Sequence, residues 1–376
     1  MRHLVALILP GGPGFVTALQ RAWDAGDAVV VLDRRLPSRA QADVLETLAV
    51  SEIVADDGTT TVAGGRHMED GDALVVTTSG TTGRPKAVVL THDAVAASAR
   101  ATSARLGVDP DRDHWLACLP LAHVGGLSVV TRALLTGTPL TVQPGFDPAA
   151  AMASGATLVS LVPTALARLD PARFRIIVLG GAAPPADLPA NAVTTYGLTE
   201  TGSGVVYDGR PLEGVEIRIG SDDEVQLRGP MLLRTYLDGA DPKDSDGWLA
   251  TGDLGRIDDG RLTVHGRRDD LIVTGGENVW PEPVERVLAG ATGVGAVAVA
   301  GPVDAEWGQR VTAYVVAADP ARPPTLADLR ARVKEVLPAW CAPRQLVFVD
   351  ELPRTALGKV RRDQLITRTP SPPSTT

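Results

Sequence analysis

Thr77-Thr-Ser-Gly-Thr-Thr-Gly-Arg-Pro-Lys86 gathers five Ser/Thr hydroxyls, Gly80, Gly83 and a terminal lysine into ten residues, directly after an apolar run at 73–76. Glycine lets the backbone turn tightly and aim its N–H groups at an anion, and hydroxyls and an ammonium add further donors. A strand that runs into such a loop reads as a phosphate cradle on an α/β scaffold. The spacing is not that of the P-loop, because Pro85 precedes the lysine and no Ser/Thr follows it. On composition alone a Ser/Thr-rich surface turn fits as well, so the surrounding chain has to decide.

Outward from the loop, β-rich runs at 28–32, 74–77, 157–162 and 175–179 alternate with alanine-rich helical stretches up to about residue 265. That alternation predicts parallel α/β layers. The pattern then changes. Runs at 215–219, 224–227 and 261–265 are punctuated by Ser221-Asp-Asp and Asp258-Asp-Gly260, which predicts antiparallel hairpins. Beyond Gly266 the expectation is a helix starting near Pro281, strands at 294–299 and 311–317, and a helix at 326–336. Pro370-Ser-Pro-Pro-Ser-Thr-Thr376 has the composition of a disordered tail.

The 376 residues suffice for two or three domains, and 44% hydrophobic with 22% charged residues is a soluble globular composition. Cys118 and Cys341 lie far apart without metal-ligand spacing, so they read as reduced, cytosolic thiols. The apolar N-terminus ends at Pro10 and predicts a buried first strand rather than a signal peptide. No run approaches the roughly 18 apolar residues of a membrane span, which predicts a cytoplasmic protein. A net charge of −9 argues against general affinity for nucleic acid or anionic membranes. From Arg267 onward there are 14 Lys/Arg against 13 Asp/Glu, so the acidity sits in the earlier part. Polyanions must therefore be held by local donors.

Further motifs recur at fixed places: Pro120-Leu-Ala-His123 with Gly125-Gly126, Val178-Leu-Gly-Gly-Ala-Ala-Pro184, Thr195-Tyr-Gly-Leu-Thr-Glu-Thr201, Thr251-Gly-Asp253, Gly266-Arg-Arg-Asp-Asp270, Thr274-Gly-Gly-Glu-Asn278 and Leu352-Pro-Arg-Thr-Ala-Leu-Gly-Lys359. Each has a plain alternative: a satisfied loop histidine, a Gly-Gly turn, a turn before a helix, a helix N-cap approach at GGEN, a solvated basic face. Taken in order with the Thr77–Lys86 loop, the set resembles the adenylate-forming superfamily of acyl- and aryl-CoA synthetases, carrier-protein adenylation domains and luciferases. The resemblance runs from about residue 70 to 363.

It implies a large N-terminal domain of parallel α/β layers with a small β-barrel-like region at 1–266, and a small mobile α+β C-terminal domain at 267–369. It implies ATP and Mg²⁺ as cofactors, with coenzyme A as co-substrate. The phosphate loop falls on Thr78, Ser79, Gly80, Thr81, Thr82, Gly83 and Lys86. Gly181, Ala182 and Ala183 would border adenine and the acyl group, Tyr196 and Gly197 would carry the adenine, Thr199 would meet the phosphates, and Glu200 would hold Mg²⁺. Asp253 and Arg267 would take the ribose, and His123 would border the acyl pocket. Asp269 matches the hinge, Gly275, Gly276, Glu277 and Asn278 the thiol tunnel, and Lys359 the catalytic lysine.

The implied reaction has two steps. A carboxylate, already ionised at neutral pH, attacks the α-phosphorus of ATP, and a thiol then displaces AMP from the acyl-adenylate. The phosphate loop starts at Thr77, much earlier than is usual in the superfamily. This compact form resembles the short o-succinylbenzoate–CoA ligases of menaquinone biosynthesis, implying an aromatic dicarboxylate substrate and possible assembly as a homodimer. Its second carboxylate needs a donor, for which backbone amides near Gly181, Ser203, a water and an arginine all remain open. Another acyl- or aryl-CoA ligase, a carrier-protein adenylation enzyme and a non-catalytic nucleotide-binding scaffold are the alternative readings.

Overall fold

The computed structural model describes residues 2–78, 86–185, 187–354 and 360–367. The predicted first strand is there: Arg2–Ile8 buries Leu4, Val5, Ala6 and Leu7. It pairs in parallel with Ala28–Val31 on one side and Glu52–Ala55 on the other. Side chains of these runs are apolar on both faces, as expected of parallel strands covered by helices. Among the described residues the first sheet orders its main path as Thr235–Tyr236, Lys86–Thr91, Asp72–Thr78, Ala28–Val31, Arg2–Ile8, Glu52–Ala55 and Gly58–Thr61. Asp72–Thr78 and Lys86–Thr91 are antiparallel, with Thr78 opposite Lys86.

A second sheet orders Arg210–Pro211, Gly204–Tyr207, Ala192–Gly197, Ile176–Leu179, Leu158–Leu161, Trp115–Ala117 and Leu140–Val142. Its central strands are parallel, and Cys118 is fully buried among Leu116, Val159 and Ile177. Helices His92–Leu106 and Val124–Thr136 belong to the same unit. Thr91 caps the first by accepting from the Ala94 N–H, and Gly107 ends it in the left-handed conformation.

Residues 216–267 supply a four-stranded sheet ordered Glu216–Ile219, Glu224–Arg228, Leu249–Asp258 and Arg261–Arg267. The chain divides into two compact units within this stretch: Met1–Arg218, Gln226–Thr251 and Ile257–Leu262 form one, and Ile219–Val225, Gly252–Arg256 and Thr263 onward the other. The second unit is α+β. Helices Pro281–Ala289 and Leu326–Val336 pack their Val284, Leu288, Leu329 and Val333 against Val299, Ala313 and Val315 of the sheet Val294–Ala300, Thr312–Ala317 and Gln345–Phe348.

One polar contact ties the first unit together at depth. Arg234 donates to both carboxylate oxygens of Asp72 at 2.8 and 2.9 Å, and the Asp72 side chain is fully buried. Arg234 also pairs with Glu69 at 2.6 Å and its side chain is 29% exposed, so it keeps a partner when Asp72 is removed. Asp72→Ala, which leaves the guanidinium and the Glu69 N–H without their buried acceptor, is expected to lower the unfolding free energy by about 1–3 kcal/mol, read as a lower urea midpoint at unchanged slope.

Candidate active site

In the first unit the residues flanking the phosphate loop face one another. Thr78 Oγ1 donates to the Lys86 carbonyl at 3.4 Å, so strand pairing closes at the two ends of the Ser/Thr/Gly run. Ser79, Gly80, Thr81, Thr82 and Gly83 lie outside the described residues, as does Lys359. The Lys86 ammonium stands 4.9 Å from the ring centroid of Tyr236. The Tyr236 hydroxyl donates to Glu200 Oε1 at 2.9 Å.

Glu200 sits in a short 3₁₀ turn, Thr199–Thr201, at the end of the strand Ala192–Gly197 that bears Tyr196. The turn is held from beneath. The fully buried Thr201 hydroxyl accepts from the Leu198 N–H at 2.9 Å and donates to Ser203 O at 2.6 Å. Gly197 is required there, because a Cβ would lie 2.3 Å from Ser203 O. Among the described residues no three His, Cys, Asp or Glu side chains gather as a metal site. A single carboxylate such as Glu200 suits Mg²⁺ carried in with ATP phosphates and waters, which needs no dedicated protein cage.

Behind this turn lies a group that the sequence reading did not assign. Arg132, on the helix Val124–Thr136, is 2% exposed, with its guanidinium over the Trp115 ring at 4.9 Å. It donates one hydrogen bond, Nη2 to Ser203 Oγ at 3.1 Å. Its Nε and Nη1 are buried without a hydrogen-bond partner among the described residues. Desolvation pushes its pKa down from the ordinary value. A buried cation with open donors is costly unless something anionic or polar meets it. The one cue in the sequence is that Arg132 is the lone charged residue in VGGLSVVTRALLT, which does not say what it meets.

His123 precedes the same helix as its N-cap residue. Burial pushes its imidazole below the ordinary value, with the Asp33 carboxylate pulling the other way. The ring is thus neutral at pH 7, and its Nε2 is buried without a hydrogen-bond partner among the described residues. Gly181, Ala182 and Ala183 follow the strand Ile176–Leu179 at its C-terminal end, where open α/β sheets place ligands.

In the second unit, Arg267 Nη1 donates to the buried Asp253 Oδ1 at 3.1 Å, so the two predicted ribose residues are brought together. Asp269 lies in the turn Arg268–Asp270. GGEN reaches the helix at Pro281 by way of a hairpin. Glu277–Val279 is a strand paired with Ile272–Thr274, and Trp280 occupies the N-cap without a side-chain cap bond. Gly275 and Gly276 form the two-residue hairpin loop, with φ of +60° and +84°. Two successive positive φ values are what such loops demand, and only glycine adopts them at little cost. Trp307 backs this loop: its carbonyl accepts from the Gly275 N–H at 2.9 Å.

Comparison with known proteins matches residues 65–237 to the family described as AMP-binding enzyme and residues 283–359 to the AMP-binding enzyme C-terminal domain. The chain is 41% identical to a probable 2-succinylbenzoate–CoA ligase of Mycobacterium tuberculosis, over 96% of this chain and 98% of that one. It is similar to the o-succinylbenzoate CoA synthetase of Bacillus subtilis solved with its acyl-adenylate intermediate, at TM-score 0.86 and 29% identity, covering 98% and 89% of the two chains. The same Bacillus protein with ATP and magnesium ion gives a TM-score of 0.85 at 30% identity, covering 96% and 89%.

Proposed function

Since the chain belongs to the AMP-binding enzyme family, we propose that it is an AMP-forming 2-succinylbenzoate–CoA ligase of menaquinone biosynthesis. It converts 2-succinylbenzoate, ATP and coenzyme A to the succinylbenzoyl-CoA thioester, AMP and pyrophosphate. The observation that carries the substrate is Arg132: a fully buried guanidinium with two open donors and Ser203 beside it. A dicarboxylate supplies the missing anion with its aromatic carboxylate, while its succinyl carboxylate is activated.

In the first step the succinyl carboxylate oxygen attacks the α-phosphorus, the bond to the bridging oxygen breaks, and pyrophosphate leaves. No general base is needed, because the nucleophile is already ionised. Alignment and charge screening are the tasks. Donors to the phosphates come from Thr78, Ser79, Gly80, Thr81, Thr82, Gly83, Lys86 and Thr199, and Lys359 meets the charge that develops in the transition state. Magnesium, when bound with ATP, screens the phosphate charge, and Glu200 is its protein ligand. Tyr196 and Gly197 carry the adenine with Gly181, Ala182 and Ala183; Asp253 and Arg267 hold the ribose; neutral His123 walls the acyl group.

In the second step the thiol sulfur of coenzyme A attacks the acyl carbon and AMP leaves. The 267–369 domain turns about Asp269 against the 1–266 domain, replacing Lys359 by Gly275, Gly276, Glu277 and Asn278. The reaction is proposed to run in the cytoplasm. Among the described residues no helix is long and apolar enough to cross a membrane. A homodimer is the proposed assembly, checked by sedimentation velocity.

The test is pyrophosphate release with ATP, Mg²⁺ and coenzyme A, comparing 2-succinylbenzoate with benzoate, fatty acids and amino acids. Selective turnover of 2-succinylbenzoate to its thioester is expected. Turnover of another acid would overturn the substrate while keeping the mechanism, and absence of turnover with ATP still bound would overturn both.

A further inference from the structure

Glu200 is tied at both ends to one short segment. Its carbonyl accepts from the Leu233 N–H at 2.7 Å, and its Oε1 accepts from the Tyr236 hydroxyl at 2.9 Å. The segment is itself anchored: Thr235–Tyr236 pairs antiparallel with Lys86–Thr91, Tyr236 opposite Val88. The aromatic face of Tyr236 lies under the Lys86 ammonium. One side chain therefore sets the carboxylate of the 199–201 turn in register with the lysine that ends the phosphate hairpin, although these lie more than a hundred residues apart in sequence.

We propose that Tyr236 is the positioning residue for Glu200 as a magnesium ligand; this rests on the reading of Glu200 given above. A carboxylate can only accept, so the phenol is the donor, and it occupies Oε1 and leaves Oε2 for the cation. A free glutamate must lose its rotamer freedom when it binds a metal. Tyr236 removes that loss in advance, and partners of this kind change metal affinity by about 10- to 100-fold when deleted. The neutral phenol does this without adding a positive charge beside the cation. Its ring meanwhile holds Lys86 by a cation–π contact.

The test is Tyr236→Phe, which keeps the ring and the Lys86 contact and removes only the donor. Mn²⁺ serves as the probe, its binding to the ATP-loaded protein measured by electron paramagnetic resonance, with ATP affinity in EDTA and thermal midpoint measured alongside. The expected result is about tenfold or more weaker Mn²⁺ binding, unchanged metal-free ATP affinity, and a thermal midpoint near that of the parent. Glu200→Gln is the control. If Glu200→Gln weakens Mn²⁺ binding and Tyr236→Phe does not, the positioning role is overturned and the Glu200 reading stands. If Glu200→Gln also leaves Mn²⁺ binding unchanged, both are overturned.

Discussion

Lys359→Ala is expected to abolish pyrophosphate exchange while leaving thioester formation from a supplied acyl-adenylate largely intact. The lysine lies outside the described residues; the described residues on either side of it pair with one another. Arg354 and Val360 form an antiparallel bridge, and the Arg361 N–H reaches Pro353 O at 2.8 Å. Next to them Arg362 Nη2 donates to both carboxylate oxygens of Glu285 at 2.8 Å, and its Nη1 donates to Asp270, beside the proposed hinge. Loss of one preorganised donor to a transition-state oxyanion costs about 10²–10³-fold in rate. Gly276→Leu should produce the opposite phenotype, with adenylation retained and thioester formation lost. Its Cβ would start in open space and any side chain there is strained at φ +84°, so Gly276→Ala, which shares the strain without the bulk, should be milder only if the leucine acts by blocking the tunnel. Equal loss of both half-reactions in both Lys359→Ala and Gly276→Leu would sink the two-conformation account.

Arg132→Met should separate stability from activity. Replacing a buried, incompletely paired charge by an apolar chain of similar volume is often neutral or stabilising by about 1–4 kcal/mol. The thermal midpoint of the variant should therefore stay level or rise. Catalysis should move the other way. Truncating one partner of a buried charge pair costs about 2–5 kcal/mol, so kcat/KM for 2-succinylbenzoate should fall by about 30- to 4,000-fold. The KM for ATP should not change. The sharper readout is selectivity against 4-oxo-4-phenylbutanoate, which keeps the reacting carboxylate and lacks the aromatic one. The parent should prefer the dicarboxylate strongly and the variant should not. A variant that retained the preference would place the second carboxylate elsewhere.

Much of the scaffold could be read from hydrophobic spacing. The helix Leu326–Val336 appears with the expected bounds, and the parallel strands Ala28–Val31, Leu158–Leu161 and Ile176–Leu179 fall within their predicted runs. These elements are legible because their side chains repeat with a period that burial imposes. The site was legible in its loops, where glycines and hydroxyls are conspicuous, and less so in what supports them. Arg132 becomes informative only when its helix sets it against Trp115 and Ser203, which no local pattern specifies. Tyr236 lies in a two-residue strand whose partner is Val88, a pairing too short and too distant to leave a periodic trace. At GGEN the composition suits a cap and a hairpin loop equally, and the choice depended on Ile272–Thr274 lying alongside.

The burial of Cys118 has a practical consequence. Its thiol is pushed up to about 12 by desolvation and has no exposed surface, so it is closed to alkylating reagents. Cys341 is only partly covered and stands in the other unit, near Glu277. Burial and that carboxylate push its thiol above the ordinary value without hiding it. A maleimide dye should therefore attach at one place in the unaltered protein. That label would sit close to the loop proposed to admit coenzyme A, and its emission could follow the two half-reactions in real time.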